Sequence, residues 1–274
     1  MHRWMRAAPL VAVLAYTTPS DSDGVTFLAV DPAVIQRRLE QVTRKLAGRQ
    51  AALESLFHEV GCDAGRFTKE RVPGSKAPNL VCTLAGQTDS EILVGGHFDS
   101  IEAGMGAVDD WSGVALLPSL YQSLASAPRK HRFVFVGFAA KETGLRGSRE
   151  YVRRLGSREV RRIHAMINLE CLGLGPPKVS ARRADPHLLD AYALVAGAFH
   201  METRGVNVDG PGDDDSHSFF NARVPVLTIH SLTHETLPIL HNKRDTLAAI
   251  HADDYYTAYR LVAAYLAYLD NDLE

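Results

Sequence analysis

Several short stretches of this 274-residue chain carry side chains able to bind a metal or move a proton. His97-Phe98-Asp99 follows "EILVGG", and Asp109 and Asp110 sit together in "GMGAVDDWSG". Lys141-Glu142 follows "RFVFVGFAA", Glu170 comes just after "AMIN", and His241 lies in "ILHNKRDT". Singly, each has an ordinary explanation. A histidine after a strand is commonly a hydrogen-bonded loop residue, and a strand-end glutamate is usually just solvated. An aspartate ahead of Ser-Gly is a natural helix N-cap. Together, the two imidazoles and three carboxylates of His97, Asp109, Glu142, Glu170 and His241 form a mixed nitrogen and oxygen set suited to zinc. About five protein ligands serve two metal ions that share one bridging carboxylate and leave room for a water. Asp99, two residues after His97, is spaced to hold that ring in one tautomer and raise its basicity.

For these groups to meet, the segments between them must align their ends. The runs "NLVCTL", "EILVGGH", "RFVFVGF", "AMINLEC" and "VPVLTIH" read as strands. Helical composition and period appear over 31–60, ending at Gly61, and over 112–125, 145–155, 186–200 and 252–269. Apolar strands alternating with helices predict a single-domain α/β three-layer sandwich, with a mixed, mostly parallel central sheet between helices. Ligands of such sheets bind beyond the carboxyl ends of the strands. The candidate groups follow strands.

Composition sets the outer limits. The chain is 46% hydrophobic and 23% charged, ordinary for a soluble globular protein. No repeat, low-complexity tract or Pro/Gly linker divides residues 25–274, which read as one domain. A net charge of −2 gives no reason to expect a nucleic-acid or anionic-membrane partner. The cluster of Arg153, Arg154, Arg161 and Arg162 reads as a solvated helix face. Residues 1–24 run from basic through an apolar stretch, Ala7 to Tyr16, to polar. That is the layout of a secretory signal peptide, the alternative being a disordered N-terminus. A secreted or periplasmic protein is expected, with the cytoplasm as the alternative. No later run has the length of a transmembrane helix. In an exported protein Cys62 and Cys82 would close a disulfide and leave Cys171 free. In a cytosolic one all three would be small buried apolar groups. No C-x-x-C pair offers a thiolate zinc site.

In this order, "GGHFDS", "GAVDDWSG", "KETGLRGSREYV", "NLECLG" and "LHNKRDT" resemble the motifs of the co-catalytic zinc aminopeptidase family, whose relatives include glutamate carboxypeptidase and the glutaminyl cyclases. The resemblance covers roughly residues 30 to 270, and the order of five motifs is far more specific than any one of them. It implies that Asp109 bridges two zinc ions, His97 and Glu170 completing one and Glu142 and His241 the other. Asp99 falls on the family's His-orienting aspartate. The stretch "DDDSHSFF" resembles an Asp-rich loop near the substrate end of the family's site, and no role is assigned to it here.

One position departs from the pattern. The family normally has a glutamate before the zinc-binding glutamate, and it accepts the proton of the bridging water and hands it to the leaving amine. Here Lys141 stands in that catalytic position, and an ammonium has three donors and no acceptor. Zinc nearby would lower its pKa and the surrounding carboxylates would raise it. Two zinc ions are expected, one being the alternative if a charged Lys141 repels the other. The leading reading is a zinc exopeptidase that removes N-terminal residues of peptides, weakened by Lys141. A second is a pseudo-peptidase that binds peptides or amino acids without cleaving them. A third, ranked lower, is a glutaminyl-cyclase-like acyltransferase. No G-x-S-x-G elbow suggests a serine hydrolase.

Overall fold

The computed structural model describes residues 27–208 and 212–274, so the expected signal peptide lies outside the described residues. Seven strands form one sheet: β1 (Phe67–Glu70), β2 (Asn79–Leu84), β3 (Glu91–His97), β4 (Arg132–Phe138), β5 (Ile163–Glu170), β6 (Lys178–Ser180) and β7 (Val226–His230). Their order is β1-β2-β4-β3-β5-β7-β6. The four central strands, β4-β3-β5-β7, are parallel, and β1, β2 and β6 add antiparallel edges. The mixed, mostly parallel sheet read from the sequence is therefore present. Its central strands are apolar on both faces because both faces are covered: Ile92, Leu93, Val94, Phe133 and Phe135 have no exposed surface.

The helices are α1 (Pro32–Leu39), α2 (Leu46–Glu59), the single turn α3 (Ser112–Val114), α4 (Leu117–Ala125), α5 (Arg146–Val160), α6 (Pro186–Ala198), α7 (Ser216–Asn221) and α8 (Ala252–Asp272). The larger core packs α1, α2, α4, α6 and α8 on one face, with Leu53, Leu120, Tyr192, Tyr259 and Leu266 among its residues. The other face is covered by α5 and α7, whose Tyr151 and Phe219 meet Phe138 of β4. Caps fix where helices begin. Asp31 accepts from the Ala33 N–H at 2.8 Å ahead of Pro32, and Asp185 accepts from His187 and Leu188 ahead of Pro186.

Two helical spans differ from the sequence reading. Residues 31–60 form two helices, because the β-branched Val42 and Thr43 lie in a turn where the Thr43 hydroxyl donates to the Lys45 carbonyl at 3.3 Å. The 112–125 span is interrupted because Pro118 has no N–H to give the Val114 carbonyl, and α4 restarts with that proline in its first turn. The strands β1 and β6 and the helix α7 had no sequence signal. Cys62, just after α2, is bonded to Cys82 on β2 with Cα atoms 6.2 Å apart, and Cys171 is free and buried.

Parallel β3 sends its chain to β4 on one side, and β4 returns it to β5 on the other. The carboxyl ends of β3, β4 and β5 thus open onto one crevice, the position where such sheets hold ligands.

Candidate metal centre

Five separate segments carry the candidate residues to this crevice. His97 is the last residue of β3 and Glu170 the last of β5. Lys141 and Glu142 lie in the turn between β4 and α5. Asp109 lies in the irregular turn ahead of α3, joined to Asp110 by a cis peptide bond. His241 comes from the loop between β7 and α8.

The side chains converge in two sets. His97 Nε2 is 3.0 Å from Asp109 Oδ1 and 3.6 Å from Glu170 Oε1. His241 Nε2 is 3.1 Å from Asp109 Oδ2 and 3.3 Å from Glu142 Oε1. The two oxygens of one buried carboxylate are thus divided between two imidazoles. Tetrahedral zinc, with bonds of about 2.0–2.2 Å, puts neighbouring ligand atoms roughly 3.3–3.6 Å apart. The imidazole-to-carboxylate distances of both sets match that spacing within a few tenths of an ångström, so the residues fit zinc by donor type and by these separations.

Asp99 contributes differently from the simple orienter the sequence suggests. The nearer partner of His97 Nδ1 is the Asp99 backbone carbonyl at 3.0 Å, with the carboxylate 3.6 Å away. The carboxylate oxygens accept instead from the backbone N–H groups of Lys141 and Glu142, at 3.0 and 3.1 Å. Burial pushes the Asp99 carboxyl up, but His97 and these two N–H groups outweigh it and leave the pKa below its usual value. One residue therefore sets both the His97 ring and the turn that presents Glu142.

Three further residues shape the centre and were not singled out from sequence for this role. Asp110 Oδ2 accepts from the His97 N–H at 3.2 Å, and its Oδ1 accepts from Gly113 and Cys171 at 3.1 and 3.0 Å. With three backbone N–H groups as donors, it clamps the ends of β3 and β5. A Cβ at Gly113 would stand 2.5 Å from that Oδ1, so only glycine allows the approach. Asp245, in the quoted "NKRDT", accepts from Val108 at 2.7 Å and Asp109 at 3.2 Å. Arg49 is buried over the Trp111 ring and donates to the carbonyls of Phe98, Met105 and Gly106. It holds both ends of the connection that runs from His97 to Asp109. Nothing in the spacing around Arg49 betrays this role.

Lys141 points into the cluster. Its Nζ is 3.2 Å from Glu170 Oε1, 3.5 Å from Asp109 Oδ1 and 3.6 Å from Glu142 Oε1. Burial opposes the charge, but Glu170, Asp109 and Glu142 outweigh it and hold the amine above its ordinary pKa.

The crevice widens into a cavity of about 500 Å³. Leu232, Leu237, Leu240 and Val208 give its lining an apolar part, and Arg149, Arg182 and Arg183 also line it. Asp213 and Asp214, from the Asp-rich stretch left without a role, line the cavity too, and Arg183 pairs with Asp213 at 2.8 Å.

His230 also lines the cavity, and it is held neutral. Burial lowers its pKa to about 4, while Nδ1 accepts from the Leu232 N–H and Nε2 donates to the Val206 carbonyl. The unfolded imidazole takes its proton near pH 6.5, so acid favours the unfolded chain. Stability is expected to fall as pH drops from about 6.5 to about 4, by up to about 3 kcal/mol from this residue. Urea midpoints at pH 7 and pH 5 check this. His230→Gln should lose less stability than wild type over that interval, and equal losses would count against a neutral His230.

Residues 79–266 match peptidase family M28. The chain belongs to this family. It is 30% identical over 189 residues to leupeptin-inactivating enzyme 1 of Streptomyces exfoliatus, across 66% of this chain and 42% of that protein. An aminopeptidase of Pseudomonas aeruginosa is 34% identical over 160 residues, across 52% of this chain and 28% of the relative. The fold matches that of the Legionella pneumophila LapA aminopeptidase with a TM-score of 0.77 at 19% identity, across 89% of this chain and 73% of the other. The first curated relatives are longer proteins, of which the matches to this chain span 24–42%.

Proposed function

We propose that this chain is a zinc-dependent exopeptidase that removes N-terminal residues from peptides, with catalysis weakened by Lys141. The observation that carries the reading is the division of Asp109, Oδ1 towards His97 and Oδ2 towards His241. The aminopeptidases among the M28 relatives support the reaction class. Asp109, Glu142, Glu170, His97 and His241 are the residues that would hold zinc. Bound zinc supplies a Lewis acid for the scissile carbonyl and lowers the pKa of water.

The protein's own residues do the rest. Asp99, Asp110, Asp245 and Arg49 fix the ligand-bearing loops, so that little reorganisation remains when a substrate arrives. The cavity beside the ligands offers apolar and charged side chains to a peptide. Proton transfer is the weak point. A residue at position 141 would take a proton from the attacking water and return it to the leaving amine, and an ammonium cannot do the first. The Cys62–Cys82 bond supports an exported protein, since such bonds persist in oxidising compartments. No helix among the described residues is long and apolar enough to cross a membrane.

The second reading, a peptide- or amino-acid-binding protein without turnover, is favoured by Lys141. Zinc analysis of the purified protein, paired with a panel of aminoacyl amides, separates the two. The proposal expects bound zinc and slow release of the N-terminal residue from at least one amide. Full zinc occupancy with no hydrolysis across the panel would leave the binding protein.

A further inference from the structure

The lysine at the centre of the cluster touches particular oxygens, and they are not distributed evenly. Asp109 Oδ1 and Glu170 Oε1, at 3.5 and 3.2 Å from Lys141 Nζ, are the same atoms that face His97 Nε2. From the other set the ammonium approaches only Glu142 Oε1, at 3.6 Å, while Asp109 Oδ2 faces His241. Lys141 thus engages both oxygen donors that the His97 set would give a metal, and one of the two in the His241 set. Its side chain is 12% exposed, and its backbone N–H is bonded to Asp99, which fixes the turn from which the side chain projects.

We propose that Lys141 is a built-in cation that replaces one of the two metal ions, leaving a single zinc held by Asp109, Glu142 and His241. The inference rests on the zinc-hydrolase reading above and specifies its metal content.

Charge balance points the same way. Three ligating carboxylates, Asp109, Glu142 and Glu170, are matched by one divalent ion and one ammonium. Two divalent ions and the ammonium would exceed these three carboxylates by two positive charges, and excess charge in a buried site is costly. Geometry selects which ion is lost. The ammonium competes for both oxygens of the His97 set, so that set yields, and the His97 Nδ1–H keeps the Asp99 carbonyl as its acceptor.

The test is metal analysis after equilibration with buffered free zinc, with circular dichroism confirming that each variant is folded. Wild type should retain one zinc per chain, and Lys141→Gln, which removes only the charge, should retain two. Lys141→Met serves as a second neutral variant should the glutamine protein fold poorly. In the wild-type background, His97→Asn should keep the single zinc and His241→Asn should lose it. In the Lys141→Gln background, His97→Asn should return the count from two to one. Two zinc ions in wild type, or an unchanged count in both neutral variants, overturns the proposal. So does a single zinc that leaves with His97 and survives loss of His241. A different failure, no zinc in wild type or in either neutral variant, would remove the hydrolase reading and this inference with it.

Discussion

Lys141→Glu is expected to raise the turnover of aminoacyl amides by about 10²–10⁴-fold, the usual contribution of a positioned base. The expectation follows from where the side chain lies. Lys141 Nζ sits within 3.6 Å of three carboxylates proposed as zinc ligands, so a carboxylate on the same backbone reaches the reacting centre. The substitution supplies the missing acceptor without touching His97, Asp109, Glu142, Glu170 or His241. Asp99 anchors positions 141 and 142 through their backbone N–H groups, which the change leaves in place.

Lys141→Gln is the informative control, because it removes the positive charge and adds no base. A glutamate variant far faster than the glutamine variant identifies proton transfer as the missing step. Equal gains from both would assign the defect to the ammonium's effect on zinc. If neither variant gains activity while zinc is bound, weakened catalysis at position 141 fails as an account, and the binding-protein reading replaces it.

The sequence and the structure agree where a residue's role depends on its own strand. The runs in β2, β3, β4, β5 and β7 are apolar because both sheet faces are covered, so composition alone reveals them. The ligand candidates were legible for a related reason. His97 and Glu170 end such runs and Glu142 lies just beyond one, where a parallel sheet opens its crevice, whereas Asp109 and His241 come from the longer connections that follow. The edges were not legible. β1 is "FTKE" with no fully buried residue, and β6 has three residues, so neither carries a periodic signal.

Roles that depend on contacts far along the chain were also hidden. Arg49 lies on α2, 49 residues from the Phe98 carbonyl and 57 from that of Gly106. Asp110 reads as a helix cap in sequence, yet it binds a backbone N–H 61 residues away at Cys171. Lys141 was visible as a departure, but the direction of its pKa depends on three carboxylates whose distances only the fold supplies.

Asp109→Ala should abolish zinc binding and make the melting temperature insensitive to zinc. Asp109 gives oxygens to both imidazole sets, so no arrangement of the remaining ligands preserves either one. A metal that binds only the folded chain stabilises it by about 4 kcal/mol when free zinc is a thousandfold above its dissociation constant. For a domain of this size that is a rise of roughly 8–16 °C in Tm. Wild type should therefore show a zinc-dependent increase that a chelator reverses, and the variant should show none. Because Asp109 is buried and bonded to His97, its loss also leaves the ring's Nε2 without its hydrogen-bond partner, which lowers stability by itself. His241→Ala separates the two effects. Its side chain is 26% exposed, so removal leaves no sealed hole, and the zinc response should vanish with little change in the zinc-free Tm. Equal zinc content in wild type and in Asp109→Ala would sink Asp109 as a zinc ligand, and with it the proposed function.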